Sequence, residues 1–201
     1  MDNKKVINTF LFLGILVLTT SALHFLINGV SDETIRQSLR VSARFSFAIL
    51  IVILVARPLQ QLLKVSWTKM LVVNRALIGS AYAGVMTAHL SLIFLRLYYE
   101  PTFNPDIIEN LPLIFAFGII FAMFITTFSG PRKFVGPKVW KVLHKFGIYY
   151  LSFGYARNYL PESLDKFDAH SWVMFSLFAA ILSLRMFVFI RNKMFSGVSV
   201  S

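Results

Sequence analysis

Residues 6–28 contain no Asp, Glu, Lys or Arg. As a helix this run would rise about 34 Å, enough to cross a hydrocarbon core of about 30 Å. Five further stretches follow at about 38–57, 71–97, 111–128, 139–158 and 171–190, joined by short polar links. In lipid, each backbone N–H and C=O must be bonded within its own segment, which leaves helices for runs of this length. The expected fold is therefore all-α: a six-transmembrane-helix bundle forming one membrane domain over residues 1–201, with both termini cytoplasmic. The composition agrees, with 57% hydrophobic and only 14% charged residues. The apolar run at 6–28 is about twice the length of a signal-peptide core, so a retained helix is expected there.

The formal net charge of +11 raises the question of nucleic acid, and the distribution of charge answers it. Lys4, Lys5, Arg57, Lys64, Lys69 and the basic residues between Arg132 and Lys145 fall on one set of links, with Arg191 and Lys193 after the sixth stretch. Asp32, Glu33, Glu100, Asp106, Glu109, Glu162, Asp165 and Asp168 fall on the other. That segregation is the positive-inside pattern. The basic excess orients the chain and meets the lipid bilayer; no nucleic-acid partner is expected.

The residues that are missing narrow the chemistry. The nine carboxylates include none within an expected span, which removes the groups that proton relays and carboxylate-bridged metals use. No cysteine is present, which excludes disulfides, thiolate nucleophiles and cluster ligation. Four histidines remain as the ligating groups. A neutral imidazole in a membrane helix either ligates a metal such as haem iron or hydrogen-bonds a neighbouring helix.

His89 lies deep in the third stretch, with Arg75 fourteen residues earlier. At about 100° and 1.5 Å per residue the two share a face at depths roughly 21 Å apart. His144 lies one turn inside the fifth stretch, and Arg157 follows thirteen residues later. The third and fifth stretches run the same way, so His144 shares a depth with Arg75, and His89 with Arg157. On this reading His89 and His144 cannot ligate opposite faces of one haem. His24 and His170, near the expected outer surface, either stabilise the fold or complete a site with His89. Arginines within the spans need anions that the protein itself does not supply there; haem propionates or lipid phosphates would serve.

Three passages, "LRVSARFSFAILIVILVARPLQQL", "NRALIGSAYAGVMTAHL" and "TTFSGPRKFVGPKVWKVLHKFGIYY", occur in an order that resembles the ferric reductase-like transmembrane domain family. The nearest branch is that of the haem-binding membrane subunit of the bacterial methionine-sulfoxide reductase system. The resemblance covers about residues 38–190, and its most specific part is the Trp-x-x-Leu-His-Lys-Phe-x-x-Tyr run at 140–149. It implies b-type haem, one or two groups, held between the third and fifth spans by His89 and His144, with Arg75 and Arg157 nearby. It also implies electron transfer across the bacterial cytoplasmic (inner) membrane. The chain departs from the family pattern at Arg157, where a second histidine is usual; guanidinium is a poor iron ligand. His24 or His170 would then substitute, or the haem would be five-coordinate, or haem would be lost.

The leading expectation is a haem b electron-transfer subunit. Its partners would be separate: a flavin reductase, quinol or a periplasmic redox protein, since the chain carries no Gly-rich dinucleotide loop. Quinone binding among the aromatic residues stays open. The alternative is a haem-poor or haem-free subunit of the same fold, acting as a scaffold or docking partner.

Overall fold

A computed structural model describes residues 2–99, 107–159 and 169–196. The described residues form helices and no strands: α1 Asn3–Asn28, α2 Asp32–Leu63, α3 Ser66–Val73, α4 Arg75–Tyr99, α5 Ile107–Ile125, α6 Ser129–Tyr159 and α7 Ala169–Ser196. By length and composition α1, α2, α4 and α7 each suffice to cross a membrane, which marks a multi-pass membrane protein. The six expected spans are matched only in part. Segments Leu111–Ile125 and Ser129–Arg157 meet the requirement together, as a pair bent by 112°, giving four or five candidate spans. In α6, Lys141, Lys145 and Arg157 interrupt the apolar face.

The helices group into two compact units. The first comprises Met1–Ile49 and Ala76–Tyr149; the second comprises Leu50–Arg75 and Tyr150–Ser201.

In the first unit, Asp2 caps α1 by accepting from Lys4 N at 3.0 Å. α1 ends at Gly29, whose φ 76°, ψ 166° is a conformation open essentially to glycine alone. Ser31 Oγ then accepts from Thr34 N at 3.3 Å, which starts α2. α1 and α4 meet where both lack side chains. A Cβ on Gly84 would run into the Phe10 carbonyl oxygen, and one on Gly14 would lie 3.1 Å from the Gly84 oxygen. Around this approach Val17, Val85 and Ala88 form a buried cluster with Leu13 and Ile49 against it. Membrane helices associate through such close packing, because lipid offers no hydrophobic drive for them to separate from it. On α2, Thr34, Ser38, Ser42 and Ser46 recur every fourth residue and are all buried. That small-residue stripe replaces the leucines a soluble helix would put on its core face. Asp32 joins the ends of α2 and α4, accepting from Arg96 Nε at 2.8 Å and pairing also with Arg36.

The two Gly-Pro pairs of "TTFSGPRKFVGPK" read in sequence as a turn; the segment is partly helical. α6 begins at Ser129, breaks at Gly136 (φ 77°, ψ 161°), and resumes at Pro137. Beyond the break Gly147 faces α5, where a Cβ would meet Ile119 and Met123.

In the second unit, Pro58 reads in sequence as a helix end or the start of a turn, yet α2 runs through it to Leu63. Proline has no N–H to give the carbonyl of the residue four before it. That residue is Leu54, and Arg185 Nη1 of α7 supplies the missing donor at 3.1 Å. A few residues on, Gln61 lies in the last turn of α2, where carbonyls lack intrahelical partners. Arg191 Nη2 donates to the Gln61 carbonyl at 3.1 Å, and Asn192 Nδ2 to its side chain at 3.2 Å. α7 thus docks on α2 by satisfying the carbonyls that the sequence of α2 orphans.

Candidate functional site

His89 is carried on α4, one residue past the buried Ala88. Its Nδ1 lies 2.8 Å from Ser42 Oγ on α2. The Ser42 hydroxyl also reaches the carbonyls of Ser38 at 2.9 Å and Leu39 at 3.0 Å. With its hydrogen directed to those carbonyls, Ser42 Oγ accepts from His89 Nδ1–H. The imidazole is oriented by a neighbouring helix, and in its neutral form carries its lone pair on Nε2. Among the described residues Ser42 is the hydrogen-bond partner of this ring. An imidazole fixed through Nδ1 with Nε2 left over is the form in which histidine meets a metal.

His144 stands differently. Its Nε2 lies 3.2 Å from Thr126 Oγ1, and that hydroxyl donates to the Ala122 carbonyl at 2.7 Å. Nε2–H is therefore the donor to Thr126. The Trp140 ring packs on the imidazole at 4.5 Å between centroids, and Trp140 Nε1 donates to the Thr126 carbonyl at 3.1 Å. The Arg132 guanidinium lies 4.2 Å from the centre of the Trp140 ring. Thr126, the residue just after α5, thus binds both rings of the Trp-x-x-Leu-His run and fixes the start of α6 against the end of α5.

The ring of His24 is engaged at both nitrogens, Nε2 to Gln37 Oε1 at 3.1 Å and Nδ1 to Asn28 Nδ2 at 3.1 Å. Those contacts tie the end of α1 to the start of α2. His170 falls in the first turn of α7, and its side chain lies outside the described residues. Arg75, the first residue of α4, is exposed and belongs to the second unit, as does the exposed Arg157. His24, His89 and His144 belong to the first. Among the described residues no group of three or more His, Cys, Asp or Glu side chains could hold a metal ion.

The sequence reading overlooked two groups. Ser42, the residue that orients His89, does not stand out in the sequence; its spacing with Thr34, Ser38 and Ser46 is the available signal. Arg185 was also missed, although Pro58 inside an apolar run implies an orphaned carbonyl at Leu54. No protein-family model, curated protein or solved structure matches the chain.

Proposed function

We propose that the chain is an electron-transfer subunit of the bacterial inner membrane that binds a b-type haem through His89. The observation that carries this reading is the His89 ring, held through Nδ1 by Ser42 with Nε2 uncommitted among the described residues. His89 Nε2 would be the atom that holds the iron. Haem, if bound, would supply one-electron exchange, with its potential set by its ligands and surroundings. The protein's part is to hold the imidazole in one tautomer and to surround it with apolar helix faces that exclude water. Arg75 and Arg157, cations that stay protonated at physiological pH, are assigned to lipid phosphate. Electron donor and acceptor are separate molecules on the two sides: a flavin reductase or quinol, and a periplasmic redox protein.

The same reading takes α5 and α6 as separate crossings, giving six spans with both termini in the cytoplasm. Positive-inside segregation supports that orientation. Lys141 and Lys145 would reach the interface along their aliphatic stems.

A second reading has a specific observation behind it. His144, the other expected ligand, gives its Nε2 to Thr126 and its face to Trp140, which is what a purely structural histidine does. Together with Arg157 in place of a second histidine, this favours a haem-free scaffold or docking subunit. A reduced-minus-oxidised spectrum of the purified protein separates the two. A b-type α-band supports electron transfer; a colourless protein made with ample haem supports the scaffold.

A further inference from the structure

We propose that the face of α6 carrying Lys138, Lys141 and Lys145 is a docking site for the headgroup of an anionic phospholipid. At 100° per residue the three lysines fall within about 60° of arc and span about 10 Å along the helix. All three are exposed, and Val142 and Tyr149, 66% and 43% exposed, continue the same face. The face therefore sets amines beside apolar groups and ends on Tyr149, which matches a phosphate with acyl chains beneath it. Lys145 stands about one and a half turns into the stretch that begins at Val139, where an ammonium without an anion is costly.

No carboxylate answers these charges among the described residues. Asp2 caps α1, while Asp32 and Glu33 pair with Arg36, Arg96 and Arg40. None of the lysines has an ion-pair or hydrogen-bond partner among the described residues. The Gly136 break adds to the site by turning the preceding segment away from the helix axis. That segment brings the exposed Lys133, and Phe134 at 93% exposure, to the same end of α6. An almost fully exposed phenylalanine beside cations suits the boundary between headgroups and acyl chains.

The probe is an equal mixture of phosphatidylglycerol and phosphatidylcholine with identical acyl chains, exchanged onto the detergent-solubilised protein and counted by native mass spectrometry. The wild type is expected to retain phosphatidylglycerol preferentially. The preference should weaken as salt rises. The K138Q/K141Q/K145Q variant should lose tenfold or more of it, up to roughly a hundred-fold, from the typical attraction of one basic residue to an anionic surface. Two controls keep the test sharp. K4Q/K5Q/K69Q removes equal charge elsewhere and should keep the preference; K138R/K141R/K145R keeps the charge and should keep it also. Equal loss in the K4Q/K5Q/K69Q control would mean diffuse charge and overturn the proposal. So would a wild type with no preference, or a glutamine triple that keeps it.

Discussion

Replacing Arg185 by methionine tests how α2 passes through a proline inside a membrane. Pro58 leaves the Leu54 carbonyl without its helical donor, and Arg185 Nη1 fills the vacancy at 3.1 Å. A hydrogen bond from a charged donor is worth about 1.5–3 kcal/mol. The single variant alone would mix that loss with the relief of a half-buried cation and with the loss of Arg185's other contacts. Pro58→Ala separates these terms, because alanine restores the N–H that Leu54 needs. In the Pro58→Ala background, Arg185→Met should cost about 1.5–3 kcal/mol less than in the wild type. At about 2–4 °C per kcal/mol for a chain this size, that is a difference of about 3–12 °C in thermal midpoint. The assay is thermal unfolding of the four detergent-solubilised proteins that make up the cycle. A cost equal in both backgrounds, to within about 0.5 kcal/mol, would refute the argument.

Ser42→Ala should destabilise by about 1–3 kcal/mol, since His89 Nδ1–H loses its acceptor in an apolar setting. Ser80→Ala is the comparison, because it removes only a local bond to Leu77 and should cost less in the same thermal assay. The pH response should centre on Asp32, which precedes the apolar part of α2. Its carboxyl is held below the ordinary 3.8 chiefly by the hydrogen bond from Arg96, opposed by burial and assisted by Arg36. A depressed pKa stabilises above the unfolded value, and that contribution disappears as pH falls through the lower folded value. Midpoints measured from pH 7 down to pH 3 should therefore fall at the acid end, and Asp32→Asn should flatten that limb.

Much of the helix plan was legible because membrane spans announce themselves by length and apolarity. Residues 6–28, 38–57 and 171–190 fall within α1, α2 and α7, and 71–97 is mostly α4. The failures came where one residue type has two physical outcomes. Pro58 was read as a helix end, and nothing local in the sequence says that an arginine 127 positions later will supply its missing donor. The "SGPRKFVGPK" stretch read as a turn, because Gly-Pro pairs favour turns. Only one of the two does so: Gly136 takes a positive φ, while Gly130 and Pro131 sit at the start of a helix that tolerates proline there. At the candidate site the histidines were visible, but their tautomers were not. The bond from Ser42 to His89 and that from Thr126 to His144 join residues 47 and 18 positions apart, and these bonds separate the imidazole with an uncommitted Nε2 from the one whose Nε2 is occupied.

The measurement that bears most directly on the function is the haem-to-protein ratio, determined by the pyridine method. It should be made side by side on the wild type, His89→Ala and His144→Ala, all expressed with ample haem. The account expects about one haem per chain in the wild type, nearly none in His89→Ala, and retention in His144→Ala with stability reduced by the lost Thr126 contact. A wild type without haem, or a His89→Ala variant that keeps its full complement, would contradict it.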